Sequence, residues 1–275
     1  MKIVMSLNTD PLKKVDSEKL FWSLHYLYLS ATLASKHYEE VEFVTDTLGE
    51  KICNVLNMPF TNITVMDFSR VPYSLWAYSK LKAYELQKEP FIHIDNDLFL
   101  FRKLPEETNG CEITVEAFEH KGPSYNNYQE LFSSETPDSY LKYSKDRKGY
   151  RMGIFGGTDI DFIREYSQKA ISWCDSAKWD DIYPQSSIMT KVEQQLLYSE
   201  VQDQNKEVFV LVDNEWGYKE KKCIHLQTNK FTPIYDRTIL RYFKTYLPTQ
   251  YKNIQGKIKC LIRTITASDQ NVNLM

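Results

Sequence analysis

The chain has 275 residues, 42% of them hydrophobic, and a net charge of −3. That is enough apolar content for one large core, and too little basic excess for a general nucleic-acid binder. Five cysteines, odd in number, widely spaced and without a C-x-x-C pair, argue against a disulfide framework or a structural zinc site. They read as free thiols in a reducing compartment. The opening run Met1–Asn8 is too short for the apolar region of a signal peptide. No segment has the length to span a bilayer, so the expectation is a soluble cytoplasmic protein.

In chain order, residues 2–7 read as a buried strand that ends in the turn Asn8-Thr9-Asp10-Pro11. A helix follows over 16–36, with Asp16 or Ser17 as cap and Leu20, Leu24, Leu27 and Ala31 at helical spacing. Residues 42–45 form a short strand ending at Asp46, 48–56 a helix, 63–68 a strand and 74–87 a helix stopped by Pro90. An apolar run over 91–100 comes next, read as a strand that ends at Asp95 and Asp97. Strand and helix thus alternate three times before a fourth strand, the pattern of a mostly parallel sheet with crossover helices. Later, 112–117, 150–157, 208–212 and 223–226 read as strands, and 160–175 and 191–199 as helices. A polar stretch up to about 144 reads as a loop or lid. No repeat or linker is visible, which favours a single domain.

The fourth strand carries the chemistry. In Phe91-Ile92-His93-Ile94-Asp95-Asn96-Asp97-Leu98-Phe99-Leu100 two carboxylates stand one residue apart inside an apolar run. Burying them costs several kcal/mol unless they are paired or bind a metal. Hard oxygen ligands at a strand end suit Mg²⁺ or Mn²⁺, and such a cation commonly holds a diphosphate. The plainer reading is a strand-to-loop junction, where Asp and Asn are ordinary turn residues. In parallel sheets ligands bind beyond the carboxyl ends of the strands. Asn8, Thr9, Asp46, Asp95 and Asp97 are all expected there. Lys80, on the preceding helix, is a candidate phosphate contact or else an exposed helix lysine. His93 reads as a buried structural histidine.

Charge is distributed unevenly. From Gly217 to Arg263 eleven basic residues face two acids, a local balance of +9 that leaves −12 on the rest. This asymmetry suits an anionic partner, or a solvated basic face. The segment 236–263 mixes aromatic and basic residues (Tyr242, Phe243, Tyr246, Leu247 and Tyr251 among Arg241, Lys244 and Lys252). It reads as a helical extension packed on the domain, or as a peripheral contact with the inner membrane face that presents a lipid-linked acceptor.

Four blocks in this order resemble nucleotide-sugar glycosyltransferases of the GT-A fold, a Rossmann-type α/β architecture, most closely bacterial members distantly related to the glycogenin and galactosyltransferase type. They are the first strand with Asn8-Thr9, the D-x-D run Asp95-Asn96-Asp97, the strand Met152-Gly153-Ile154-Phe155-Gly156-Gly157, and Ile224-His225-Leu226 with Lys230. The sequence departs from the pattern where Arg151 or Met152 replaces an Asn before the glycine strand. It departs again where Gln227-Thr228-Asn229-Lys230-Phe231 lacks the usual Gly and Pro-Trp.

The resemblance implies a catalytic domain over 1–235 and a basic helical extension over 236–275. It implies Mn²⁺ or Mg²⁺ held by Asp95, Asp97 and His225, with a nucleoside-diphosphate sugar, a UDP-sugar first, as donor. Asn8, Thr9, Asp46, Lys80, Asp95, Gly156, Gly157 and Lys230 would contact that donor. The acceptor would be a glycan, a lipid-linked sugar or a protein. Glu193 would serve as base in an inverting reaction, or Gln194 or Gln195 would stabilise an oxocarbenium-like state in a retaining one. Asp213 and Glu215 are further base candidates. Two other readings compete: a binding or scaffold protein on a degenerate version of the fold, and a D-x-D phosphatase. Phosphatases of that kind carry the pair on the first strand, followed by a small residue and Thr, whereas Leu98-Phe99 follows here.

Overall fold

Alternating apolar and amphipathic runs build the first half of the molecule as successive strand–helix units. The computed structural model describes residues 1–120, 135–176, 188–212, 223–227 and 230–272. Asp213 and Glu215 therefore lie outside the described residues. In chain order the first units are β1 (Lys2–Leu7), α1 (Asp10–Lys13), α2 (Ser17–Ser35), β2 (Val41–Thr45), α3 (Thr47–Leu56), β3 (Asn62–Val65), α4 (Tyr78–Glu85) and β4 (Phe91–Ile94). The next are β5 (Leu98–Leu100), β6 (Ile113–His120), α5 (Asp138–Tyr143), β7 (Lys148–Gly157) and α6 (Ile160–Ser176). A π-helical turn (Thr190–Gln195) leads into α7 (Leu196–Asp203), followed by β8 (Val208–Val210), β9 (Cys223–His225), α8 (Pro233–Tyr246) and α9 (Pro248–Val272).

Seven strands form one sheet in the order β3-β2-β1-β4-β7-β6-β8, while β5 and β9 pair separately. Four of the six neighbouring pairs are parallel, and β7 runs antiparallel to both β4 and β6. The expected α/β class with a mostly parallel sheet is what the chain adopts. Strand order reverses between β1 and β4, so the carboxyl ends of those two strands open a crevice where open α/β sheets bind ligands. Asn96 bridges it, its side-chain amide donating to the Ser6 carbonyl at 2.8 Å.

β4 ends just before Asp95, and the rest of the apolar run forms a separate strand, β5. The last ladder bond of the run is Asp95 N–H to Gly153 O at 2.9 Å. Leu98 N–H then closes a turn on Asp95 O at 3.0 Å, and β5 leaves to pair with β9. Two closely spaced carboxylates cannot continue through a buried ladder, so the chain turns at them.

α2 shows why it is central. Asp16 caps it by accepting from Lys19 N–H, and its residues from Leu20 to Ala34 are buried on nearly every face. A helix apolar all round must be covered on both sides. One side meets the sheet. The other meets α8 and α9, whose Ile239, Phe243, Leu247, Ile254 and Ile258 join the same core. The apolar residues of these two helices are thus largely spent on packing, although Tyr246 stays exposed. The opposite face of the sheet is covered by α4, α6 and α7. No helix among the described residues is long and apolar enough to cross a membrane.

Burial also sets an acid sensitivity. His25 on α2 hydrogen-bonds Phe21 O at 2.8 Å and the Gln255 amide of α9 at 3.2 Å. Burial pushes its pKa down to about 4. His93 in β4 is pushed down to about 3 by burial, with Lys80 adding to the shift. Both stay neutral in the fold, whereas the unfolded chain protonates them near pH 6.5. The unfolded state therefore binds more protons between pH 6.5 and about 4, and stability falls as pH drops through that window. Glu193 opposes this, because burial raises its carboxyl to about 6, but two histidines outweigh one carboxylate. Urea unfolding at pH 7 and pH 5 should show a net loss on the order of 1–2 kcal/mol. The pH slope should shrink in His25→Gln.

Candidate metal and donor site

The carboxyl end of β4 is where the separated blocks meet. The Asp95, Asp97 and His225 ligand atoms lie within 4.8 Å of one another. His225 arrives from β9, whose pairing with β5 sets Leu98 opposite His225. Its Nε2 stands 3.6 Å from Asp95 Oδ2 and 3.6 Å from Asp97 Oδ1. Its Nδ1 lies 2.9 Å from Glu116 Oε2. A buried carboxylate on Nδ1 fixes the ring's tautomer and turns Nε2 toward the two aspartates, the arrangement that metal-binding histidines use. Two hard carboxylates and one imidazole suit Mn²⁺ well and Mg²⁺ acceptably. The residues fit such an ion.

Each ligand has a second layer behind it. Lys80 is buried (7% exposed) and its ammonium meets Asp95 Oδ1 at 2.9 Å, Glu193 Oε1 at 2.7 Å and the Met152 carbonyl at 3.0 Å. Burial works against that charge, yet Asp95 and Glu193 outweigh it and raise its pKa. Asp97 accepts from Gln227 N–H at 3.1 Å and from Lys230 at 3.2 Å. Burial alone would raise its carboxyl; Lys230 and His225 hold it below the usual carboxylate range instead. Burial likewise would lower His225, but Glu116 and Asp97 push it up to about 10.

Beside Asp97 lies a pocket of about 470 Å³ between the end of β1, α1 and α2. Leu7, Pro11, Leu12 and Tyr26 form its apolar wall, and Asn96, Asp97, Gln227 and Lys230 its polar end. A concave apolar wall with a few convergent polar groups is the usual form of a small-molecule site.

The model of a family described as "Family of unknown function (DUF6734)" matches residues 1–256. The chain belongs to that family. No curated protein matches it. Among solved structures, that of galactosyltransferase LgtC in complex with donor and acceptor sugar analogs is similar at 11% identity and a TM-score of 0.45, covering 94% of this chain and 100% of that one. A structure of an active-site mutant of LgtC is similar at 12% identity and a TM-score of 0.40, covering 77% of this chain and 73% of that one.

In this DUF6734 chain most of the expected site residues fall into three groups. Asp95, Asp97, His225 and Lys230 come together around one point. Asn8, Thr9 and Asp46 lie at the ends of β1 and β2 with their polar groups engaged: Asp46 accepts from Thr9 N–H and Oγ1–H and from Gly49 N–H, each at 2.8 Å. Asn8 accepts from Asp10 N–H at 3.0 Å. Gly156 and Gly157 are not brought to the cluster. They pair with Ile92 and Phe91, at the other end of β4, and a Cβ on either would strike backbone at 2.0 Å.

Lys80 has its three ammonium hydrogens taken by the protein, so it holds Asp95 and offers nothing to a phosphate. Glu193 is fully buried (0% exposed) and paired with Lys80. Gln194, its neighbour on the π-helical turn, is half-buried; Gln195 is buried. Such single π turns recur at functional sites.

Glu116, Gln227 and Gly153 complete the site, and sequence reasoning assigns none of them a role there. A register shift between Val115 and Ala117 marks a bulge that re-aims Glu116 toward His225, and no local sequence signal announces it. Gly153 stands out in the sequence only as one residue of its strand. A Cβ there would lie 2.3 Å from both Glu116 Oε2 and His225 Cε1. Gly153→Ala should therefore cost about 1–3 kcal/mol through overpacking. It should also weaken Mn²⁺ binding by roughly 10–100-fold, because the Glu116–His225 contact is disturbed. Mn²⁺ titration followed by thermal shift measures both.

Proposed function

We propose that the chain is a metal-dependent glycosyltransferase that moves a sugar from a nucleoside-diphosphate sugar, a UDP-sugar first, to a glycan, lipid-linked or protein acceptor. The observation that carries this reading is the meeting of Asp95, Asp97 and His225 at the switch point of the sheet, from segments about 130 residues apart. The D-x-D, glycine-strand and His-Lys blocks support it in their order.

Asp95, Asp97 and His225 would hold Mn²⁺ or Mg²⁺, which neutralises the charge that builds on a departing diphosphate. The protein's own part is placement. Lys80 keeps Asp95 ionised and aimed. Glu116 holds the imidazole so that Nε2 faces the ligand space. Lys230, 41% exposed beside the pocket, supplies a point charge for a phosphate oxygen. The adjoining pocket is of a size to take the nucleoside. Burial leaves Glu193 poorly placed as a base; Gln194 stays the candidate for a retaining scheme, and Asp213 and Glu215 for an inverting one. The C-terminal basic segment remains a proposed peripheral membrane contact only through its exposed residues.

Thermal shift with UDP, GDP and CMP, each with and without Mn²⁺, tests the reading. Stabilisation by one nucleoside diphosphate only when Mn²⁺ is present, absent in Asp97→Ala, is expected. No shift with any nucleotide would favour a binding protein on a degenerate fold. Metal-dependent hydrolysis of a generic phosphate ester would favour a phosphatase and overturn the proposal.

A further inference from the structure

We infer that Gln227 is a positioning residue that decides which carboxylate oxygens of the cluster are left for a cation. The inference rests on the metal-site reading and deepens it. Gln227 has φ +51°, a left-handed conformation that is uncommon for a residue with a side chain and persists only where its surroundings over-determine it. Two contacts do so. Its backbone N–H donates to Asp97 Oδ2 at 3.1 Å, and its side-chain amide donates to Glu116 Oε1 at 3.2 Å. One residue thus grips both the aspartate that faces His225 Nε2 and the glutamate that holds His225 Nδ1.

The consequence is an assignment of oxygens. On Asp97, Oδ2 is taken by Gln227 N–H and Lys230, while Oδ1 is the oxygen turned toward His225 Nε2, 3.6 Å away. On Glu116, Oε1 receives the Gln227 amide and Oε2 receives Gly153 N–H at 3.0 Å, with His225 Nδ1 close to both. Glu116 is thereby anchored through both oxygens and turned to the imidazole, away from the ligand space. Gln227 also lines the 470 Å³ pocket next to Asp97, so the same residue that aims the carboxylate borders the space where a ligand would sit.

Gln227→Gly separates the two contacts. Glycine is at home at positive φ, so the backbone N–H to Asp97 is retained and the amide to Glu116 alone is lost. Mn²⁺ affinity, read by electron paramagnetic resonance of free Mn²⁺, is expected to fall about 10–100-fold, the usual effect of removing an outer-shell partner. Circular dichroism and the melting temperature should stay close to the parent. A Kd for Mn²⁺ within twofold of the parent in Gln227→Gly overturns the inference while leaving the metal site intact. Failure of the parent protein to bind Mn²⁺, or equal binding by parent and Asp97→Ala, overturns the metal-site reading first. If Gln227→Gly melts well below the parent, the same titration in the cold, on protein shown by circular dichroism to be folded, separates these outcomes equally well.

Discussion

Asp97→Asn should lower donor turnover by about a thousandfold or more, equivalent to roughly 4 kcal/mol of transition-state stabilisation. The substitution keeps the side chain's shape and removes its charge. Asp97 is 3% exposed, with Lys230 at 3.2 Å and His225 Nε2 at 3.6 Å. An amide there leaves Lys230 without a full counter-charge and presents a metal ion with one hard anionic ligand fewer. It also risks placing an N–H₂ where Gln227 N–H needs an acceptor. Metal-dependent donor hydrolysis across a set of nucleotide sugars is the measurement, because slow hydrolysis needs no knowledge of the acceptor. Mn²⁺-dependent turnover within tenfold of the parent would remove Asp97 from the proposed machinery.

The largest effect on stability is expected from Lys80→Met. The methionine fills the lysine's volume, but Glu193 and Asp95 lose the ammonium that sits 2.7 and 2.9 Å from them. Breaking one side of a buried ion pair costs about 3–5 kcal/mol, since the remaining charge is left without solvent or partner. Glu193 is the worse placed of the two: its Oε2 has no hydrogen-bond partner even with Lys80 present. The direction with pH follows. A Glu193 carboxyl already raised to about 6 would be raised further without Lys80, and would fold protonated. The cost of Lys80→Met should therefore be greatest at high pH and shrink as pH falls through the range where the unfolded carboxyl is still ionised. Adding Glu193→Gln to Lys80→Met should restore part of the loss, as contacting residues rarely add. Urea midpoints of the two single variants and the double variant at pH 8 and pH 5.5 check all three statements. A Lys80→Met protein as stable as the parent would mean that this pairing does not support the fold.

How far the sequence discloses this site depends on the range of each contact. β1, α2, β2 and α3 are legible because their signals are local: apolar runs, the Asp16 cap, the Asp46 stop. The D-x-D run is legible because ionised groups inside an apolar stretch demand a reason. The separate strand β5 beyond it is not legible, since the turn from Asp95 to Leu98 owes its form to Gly153 and β9, far away in sequence. The direction of β7 is equally out of reach, because antiparallel and parallel strands that are buried on both faces share one apolar pattern. Gly156 and Gly157 are conspicuous as a pair, yet it is Gly153, three residues earlier, whose missing Cβ leaves room for His225. Lys80 reads as an exposed helix lysine until β4 and the π-helical turn are laid beside it. Glu116 needs a bulge to point as it does. What stays hidden is the outer layer, which exists only once distant segments are packed.

That dependence on distant segments has a consequence for synthesis. Asp95, Asp97, Glu116 and Glu193 all precede His225 and Lys230 in the chain, and Asp236, which accepts from the Tyr26 hydroxyl, comes later still. While the polypeptide emerges from the ribosome, the acids of the cluster appear first, with Lys80 for Asp95 and Glu193 and Arg151 3.9 Å from Glu116, and β5 waits without β9. Domains generally assemble as whole units during translation. Here the unit cannot close its charge balance until Lys230 has cleared the exit tunnel. A nascent or truncated chain that stops short of it carries the D-x-D sequence without the means to present it.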